Sequence, residues 1–109
     1  MKYFVFNHQR DGSCYHEFYK GKWDSNTHWK DNSIFLNDDV LCKDFVDAIM
    51  EIIPSYDPYN ATKITISQWK KIGEIIVNKD LKSQEIYNEA DAWLNTVFTT
   101  YDCFTILGI

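Results

Sequence analysis

The sequence predicts a single α+β domain in which three helices pack on one face of a mostly antiparallel sheet. Strand-like apolar and aromatic segments stand at both ends of the chain, and amphipathic helical patterns fill its second half. The chain has 109 residues, of which 45% are hydrophobic, with only four glycines and two prolines. This composition is typical of a folded chain, and the length is that of one domain spanning residues 1–109.

Three strands are predicted before the helices and one after them. Residues 2–7 are β-branched and aromatic, residues 14–19 alternate loosely after the turn at 11–13, and residues 33–36 include a short apolar run. The chain closes on an apolar segment, residues 103–109, and because chain ends are normally polar we expect this strand to lie inside the sheet. Because both terminal segments need two covered faces, we expect the N-terminal and C-terminal strands to pair in one sheet.

The helices are predicted from apolar spacing and from capping residues. The first covers residues 40–53 behind N-cap candidates at 37–39, the second follows Ser67, and the third follows Ser83. Each carries an apolar stripe at helical spacing, which predicts the face that is turned towards the core. Gly73 interrupts the second helix, and a close packing contact is the expected reason.

Composition restricts the classes of partner. Eleven Lys and Arg stand against sixteen Asp and Glu, which gives a net charge of −5. A nucleic-acid binder would concentrate positive charge, so the balance favours a basic protein partner over a nucleic acid. No apolar run is long enough for a membrane span, and no signal-peptide pattern is seen. Three widely spaced cysteines form no disulfide framework, and we therefore expect a cytoplasmic protein with reduced thiols.

Catalytic chemistry is weakly indicated. Cys14 and His16 lie two residues apart on a predicted strand and could touch, as in a small Cys/His enzyme. No residue at a fixed spacing supplies an oxyanion hole or an orienting group. No metal-ligand spacing and no glycine-rich phosphate loop occurs, so neither a metal nor a cofactor is expected. We expect a protein that is not an enzyme, and a regulatory ligand-binding module is a further alternative.

An acidic stripe is the most specific charge pattern. On the first predicted helix Asp44, Asp47 and Glu51 recur at i, i+3 and i+7, opposite the apolar stripe. Like charges at this spacing repel, so the stripe is either an ordinary solvated face or a site for a basic partner. A rigid loop with two tyrosines and an aspartate follows the helix. The candidate partner-binding residues are Asp44, Asp47, Glu51, Tyr56, Asp57 and Tyr59.

A second candidate surface lies in the polar segment between the second and third strands. This segment carries Trp23, His28 and Trp29. Tryptophan is enriched in binding hot spots, so the three side chains could anchor a partner. The alternative, which we favour, is that they cover one edge of the core beneath a long loop.

Several short segments, spread over most of the chain, share one overall pattern: Met1–Phe6, Ile53–Tyr59, Ile66–Trp69, Trp93 and Phe104–Ile109. In this pattern the chain resembles small bacterial immunity proteins of contact-dependent growth inhibition and related polymorphic toxin systems. The resemblance implies a cytosolic protein, encoded beside a toxin, that binds and neutralises the toxin domain of sibling cells. Such toxins are often nucleases with basic grooves, which an acidic surface could occlude. No functional residue is carried over from the resemblance.

Overall fold

A five-stranded antiparallel sheet and four α-helices make up the protein in the computed structural model, which describes residues 1–108. The strands are β1 (Phe4–Val5), β2 (Tyr15–Lys20), β3 (Ile34–Asn37), β4 (Thr62–Thr65) and β5 (Cys103–Leu107). The helices are α1 (Asp38–Asp44), α2 (Val46–Ile52), α3 (Ile66–Ile76) and α4 (Leu81–Val97). The predicted α+β class is confirmed. None of the helices within residues 1–108 has the length and hydropathy needed to cross a membrane.

The strand order is β1-β3-β2-β5-β4, and every neighbouring pair is antiparallel. The C-terminal strand β5 lies inside the sheet, between β2 and β4. The predicted pairing of the N-terminal and C-terminal strands is wrong, because β1 lies at the far edge beside β3. β1 needs no second neighbouring strand, because a side chain of α4 accepts hydrogen bonds from the backbone at its start. The Glu89 carboxylate on α4 accepts hydrogen bonds from the backbone N–H groups of Lys2 at 2.7 Å and of Tyr3 and Phe4 at 3.0 Å.

The main core lies between the sheet and the helices. Phe18 of β2, Phe104 of β5 and Trp69 of α3 are buried at its centre, with Phe18 and Phe104 stacked at 5.5 Å and Trp69 edge-on to Phe104 at 5.4 Å. The opposite face of the sheet is buried as well. There the segment 21–33 covers Glu17 and Phe35, so that β2 is covered on both faces.

The first predicted helix is two helices, α1 and α2, which meet at Phe45. Phe45 has φ −135° and ψ −28°, outside the helical region, and its side chain is buried. The break leaves four helices rather than three. It also means that the acidic residues of the predicted stripe do not share one helix face.

The N-caps of α3 and α4 are not the predicted Ser67 and Ser83. Thr65 rather than Ser67 caps α3, because Gln68 lies three residues after Thr65 and completes a reciprocal capping box. α4 begins at Leu81, and Ser83 is a buried residue of its first turn. The Ser83 hydroxyl lies 2.8 Å from the carbonyl oxygen of Asp44, and this contact ties α4 to the end of α1.

Candidate interaction surface

The outer face of α2 carries the exposed part of the acidic stripe. Asp47 and Glu51 lie one helical turn apart and are both exposed. Neither makes an ion pair within residues 1–108. Met50, 41% exposed, lies between them in sequence, while Ala48 and Ile49 are buried on the inner face and fix the helix in place. We call Asp47, Met50 and Glu51 the α2 surface.

Asp44 does not belong to the α2 surface. It is the last residue of α1, and its carboxylate lies 3.0 Å from the ammonium group of Lys82 on α4. The Asp44 side chain is only 18% exposed. Asp44 therefore joins two helices and is not a free charge for a partner.

Tyr56 is also not available to a partner, because its side chain is 3% exposed. Burial raises the pKa of its phenol, and the nearby Cys42, Asp38 and Asp57 raise it further. The hydroxyl has no hydrogen-bond partner within residues 1–108. The expectation that Tyr56 supplies contact area on the surface is therefore not met.

The other two loop candidates are placed away from the acidic stripe. The half-buried Asp57 accepts hydrogen bonds from the backbone N–H of Tyr59 at 2.9 Å and from the Asn60 amide at 3.0 Å. Tyr59 is 75% exposed. Tyr59 lines a cleft of about 240 Å³ together with Trp23 and His28. The structure thus joins Tyr59 to the second candidate surface rather than to the first.

Trp29 is separated from Trp23 and His28. Its indole stacks on Phe35 at 5.6 Å, and the Arg10 guanidinium lies 3.9 Å from the ring centre on the indole face. Its backbone has φ +56°, a left-handed conformation that a bulky residue rarely adopts. The Trp29 N–H donates a 2.7 Å hydrogen bond to Glu17, which fixes this conformation. Trp29 therefore covers the second face of the sheet.

The Cys14–His16 pair of the enzyme hypothesis is not brought together. His16 is fully buried, and its Nε2 bonds to the Asp38 carboxylate at 2.7 Å, whereas Cys14 precedes β2 and is exposed. The thiol next to the hydrogen-bonded His16 and Asp38 side chains is Cys42, which donates to the Asp38 carboxylate at 3.5 Å. Partial burial and the Asp38 carboxylate raise the pKa of the Cys42 thiol. Such an environment disfavours the thiolate that nucleophilic chemistry requires.

A groove runs between α2 and α3, next to the α2 surface. Its volume is about 570 Å³, and Glu51 belongs both to its rim and to the α2 surface. The lining combines two carboxylates, two ammonium groups, an amide and two half-buried isoleucines: Glu51, Ile52, Lys71, Glu74, Ile75, Asn78 and Lys79. The acidic surface therefore borders a region of mixed charge. Within residues 1–108 no group of three or more His, Cys, Asp or Glu side chains could hold a metal ion.

Glu17 is the structurally important residue that sequence reasoning missed. It is 2% exposed and accepts hydrogen bonds from the Trp29 and Lys30 N–H groups and from the Ser33 hydroxyl, at 2.7, 3.1 and 2.6 Å. The only signal in the sequence is an acidic residue between aromatic residues in the middle of a predicted strand. Glu17 holds the segment 21–33 on the sheet, and that segment carries Trp23 and His28.

Comparisons with protein-family models, with curated protein sequences and with solved structures gave no match to this chain. The residues of this chain and their geometry therefore carry the functional inference.

Proposed function

We propose that this chain is a binding protein that neutralises a basic protein partner through the α2 surface, as the immunity proteins that it resembles do with toxins. The observation that carries the proposal is the pair of exposed carboxylates, Asp47 and Glu51, with no ion pair within residues 1–108 and with an exposed Met50 between them.

The chemistry of this surface suits a basic groove. Because Asp47 and Glu51 make no ion pair within residues 1–108, both carboxylates are available to pair with basic groups of a partner, and the net charge of −5 adds a long-range attraction. Met50 supplies a flexible apolar contact that adapts to the partner's shape. A partner such as a nuclease would meet carboxylates where its substrate presents phosphates, so that the bound chain would block substrate access.

The environments of Cys42 and Cys103 favour a binding role over a nucleophilic one. Burial raises the pKa of Cys103, as it does that of Cys42. All three cysteines are free, which suits a reducing compartment, and we propose a cytoplasmic location. The proposal requires neither a cofactor nor a metal.

The α2–α3 groove favours a second candidate, a regulatory module that binds a small ligand. Its volume of about 570 Å³ lies in the range of small-molecule sites. Lysines and glutamates around an isoleucine floor would suit a zwitterionic ligand such as an amino acid. Calorimetric titration with the standard amino acids separates this candidate from a protein-binding function, which predicts no heat of binding in that titration.

Co-expression with the product of the gene immediately upstream of this chain, where the proposal places a toxin, tests the proposed function. We expect the chain to restore growth, and we expect the double variant Asp47→Lys, Glu51→Lys to lose most of that protection while its circular dichroism stays native. Failure of the parent chain to protect would contradict the inhibitory function. Full protection by the double variant would contradict the assignment of the α2 surface.

A further inference from the structure

A cleft lined by aromatic side chains lies on the side of the sheet that the segment 21–33 covers. It forms where that segment meets the loop before β4 and the end of β5, and its volume is about 240 Å³. Its lining is Trp23, His28, Tyr59, Asn60, Ala61, Leu107 and Gly108. None of these residues belongs to the α2 surface.

The wall that carries Trp23 is held in place by its own hydrogen bonds. The indole Nε1–H donates to the Thr27 carbonyl at 2.7 Å, and the backbone N–H donates to the Thr105 hydroxyl at 3.2 Å. The His28 ring packs on the indole with centroids 5.2 Å apart. The carboxylate of Asp24 closes the loop by accepting from the N–H groups of Asn26 and Thr27, both at 2.9 Å. These contacts hold the indole in one orientation before any ligand arrives.

The opposite wall is fixed in a similar way. Asp57 accepts from the Tyr59 N–H, and the loop backbone lies directly against Gly108. A Cβ atom at position 108 would lie 2.5 Å from the Asn60 nitrogen and 2.7 Å from the Pro58 oxygen, so only glycine permits this approach. This approach fixes the Tyr59 backbone beside the cleft, while 75% of the residue is exposed.

Other aromatic rings of this protein carry a cation over their face. Arg10 lies 3.9 Å from the centre of Trp29, Lys30 lies 4.9 Å from that of Tyr19, and Lys20 lies 5.9 Å from that of Trp93. Within residues 1–108, no cation lies over Trp23 or Tyr59. Two of the residues that line the cleft thus have aromatic rings without a cation over them, and such rings attract cations.

The two walls are each built on a carboxylate, Asp24 for Trp23 and Asp57 for Tyr59, and these charges favour a positive ligand. Hydrogen bonds from Thr27 and Asn26 hold the pKa of Asp24 below its usual value, and the charge of Lys30 lowers it further, so this carboxylate stays ionised. Two other lysines, at positions 22 and 63, act on Cys103, at the opposite end of β5 from the cleft.

We propose that this cleft binds an arginine side chain of a protein partner, with the guanidinium placed against the Trp23 and Tyr59 rings. A planar guanidinium stacks on aromatic faces better than an ammonium group, and the two carboxylates supply charge complementarity. This inference does not depend on the α2 surface, and it names a second point at which a basic partner would be recognised.

The probe is a blocked Gly-Gly-Arg-Gly-Gly peptide, and its control replaces the arginine with citrulline, which has nearly the same shape without the charge. The readout is the indole N–H resonance of Trp23 in the full chain, assigned by its loss in Trp23→Leu. We expect a saturable shift with the arginine peptide and a much weaker one with the citrulline peptide. Tyr59→Phe should keep the affinity, whereas Tyr59→Leu should weaken it about two- to fivefold.

Three results would overturn the inference: no shift with either peptide, equal affinities for the two peptides, or an unchanged affinity in Tyr59→Leu. The exposure of Tyr59 makes both of its variants safe for folding. Since the assay uses free peptides and not the toxin domain, its failure would leave the proposed inhibitory function standing. Growth protection by the α2 variants tests the α2 surface and not the cleft. The peptide titration decides the inference about the cleft.

Discussion

The imidazole of His16 on β2 and the carboxylate of Asp38 at the start of α1 are joined by a hydrogen bond of 2.7 Å. A second bond, 3.0 Å from the Asp38 N–H to the Cys14 carbonyl, lies beside it. The His16 side chain is fully buried, while that of Asp38 is 36% exposed. The pair fixes the N-terminus of α1 on the sheet. Since α2 follows α1 directly, the pair also helps to position the α2 surface.

Removing the Asp38 carboxylate should destabilise the protein. In Asp38→Ala the buried Nε2–H of His16 loses its acceptor, and we expect a loss of about 1–3 kcal/mol in the free energy of unfolding. Asp39→Ala is the matched control, since it removes an exposed carboxylate from the same helical turn. Urea unfolding followed by circular dichroism measures both variants. Equal losses in the two would show that the helix dipole, and not His16, accounts for the contribution of Asp38.

Tyr56→Phe should leave the stability at pH 7 unchanged or raise it by up to about 1 kcal/mol, because the phenol is buried without a partner within residues 1–108. The same variant should flatten the loss of stability at high pH. Burial raises the pKa of Tyr87 to about 12 and raises that of Tyr56 further. The unfolded state releases these protons near pH 10, so the parent should lose stability as the pH rises from about 10. A destabilised variant, or one with an unchanged alkaline slope, would contradict this placement of Tyr56.

Gly73→Ala should destabilise the protein although alanine favours helices by about 1 kcal/mol. A Cβ atom at position 73 would clash with the Tyr87 ring, which stacks on Trp69 at 4.4 Å. We expect a net loss of about 1–2 kcal/mol from overpacking. In a Tyr87→Leu background the ring is gone, and the same change should become neutral or stabilising. Additive effects in this double-mutant cycle would contradict the contact.

Glu17→Gln should destabilise the protein by about 2 kcal/mol, because an amide group would replace one of the two oxygens that accept three hydrogen bonds. Glu51→Gln is the control on an exposed site, where the change should stay within about 0.5 kcal/mol. Hydrogen exchange of the segment 21–33 should rise selectively in Glu17→Gln. A uniform increase in hydrogen exchange across the whole chain would show that Glu17 does not act through this segment.

Much of the fold could be predicted from local pattern. The α+β class and the interior place of the C-terminal strand are confirmed, as is the packing contact at Gly73. The strand neighbours could not be predicted, since β1 and β5 are both apolar and apolarity does not select a partner. The break at Phe45 was hidden because the apolar stripe of the first predicted helix continues across it.

The candidate site could be predicted less well, for a physical reason in each case. Tyrosine is amphipathic, so its presence in a loop did not distinguish the buried Tyr56 from the exposed Tyr59. Asp44 is neutralised by Lys82, which lies on another helix and is far away in sequence. The cleft at Tyr59 is lined by three segments that are far apart in sequence and that the sheet brings together.

The most direct test of the proposed function is the association rate constant of this chain with the toxin domain against which it protects in the co-expression assay. The double variant Asp47→Lys, Glu51→Lys is compared with Asp11→Lys, Asp102→Lys, which makes the same change of net charge at exposed positions outside α1 and α2. We predict that the association rate constant of the α2 variant is lower by a factor of about ten or more and depends less on salt concentration. The rate constant of the control variant should stay close to that of the parent. Equal rates for the two variants, with both natively folded, would contradict binding through the α2 surface.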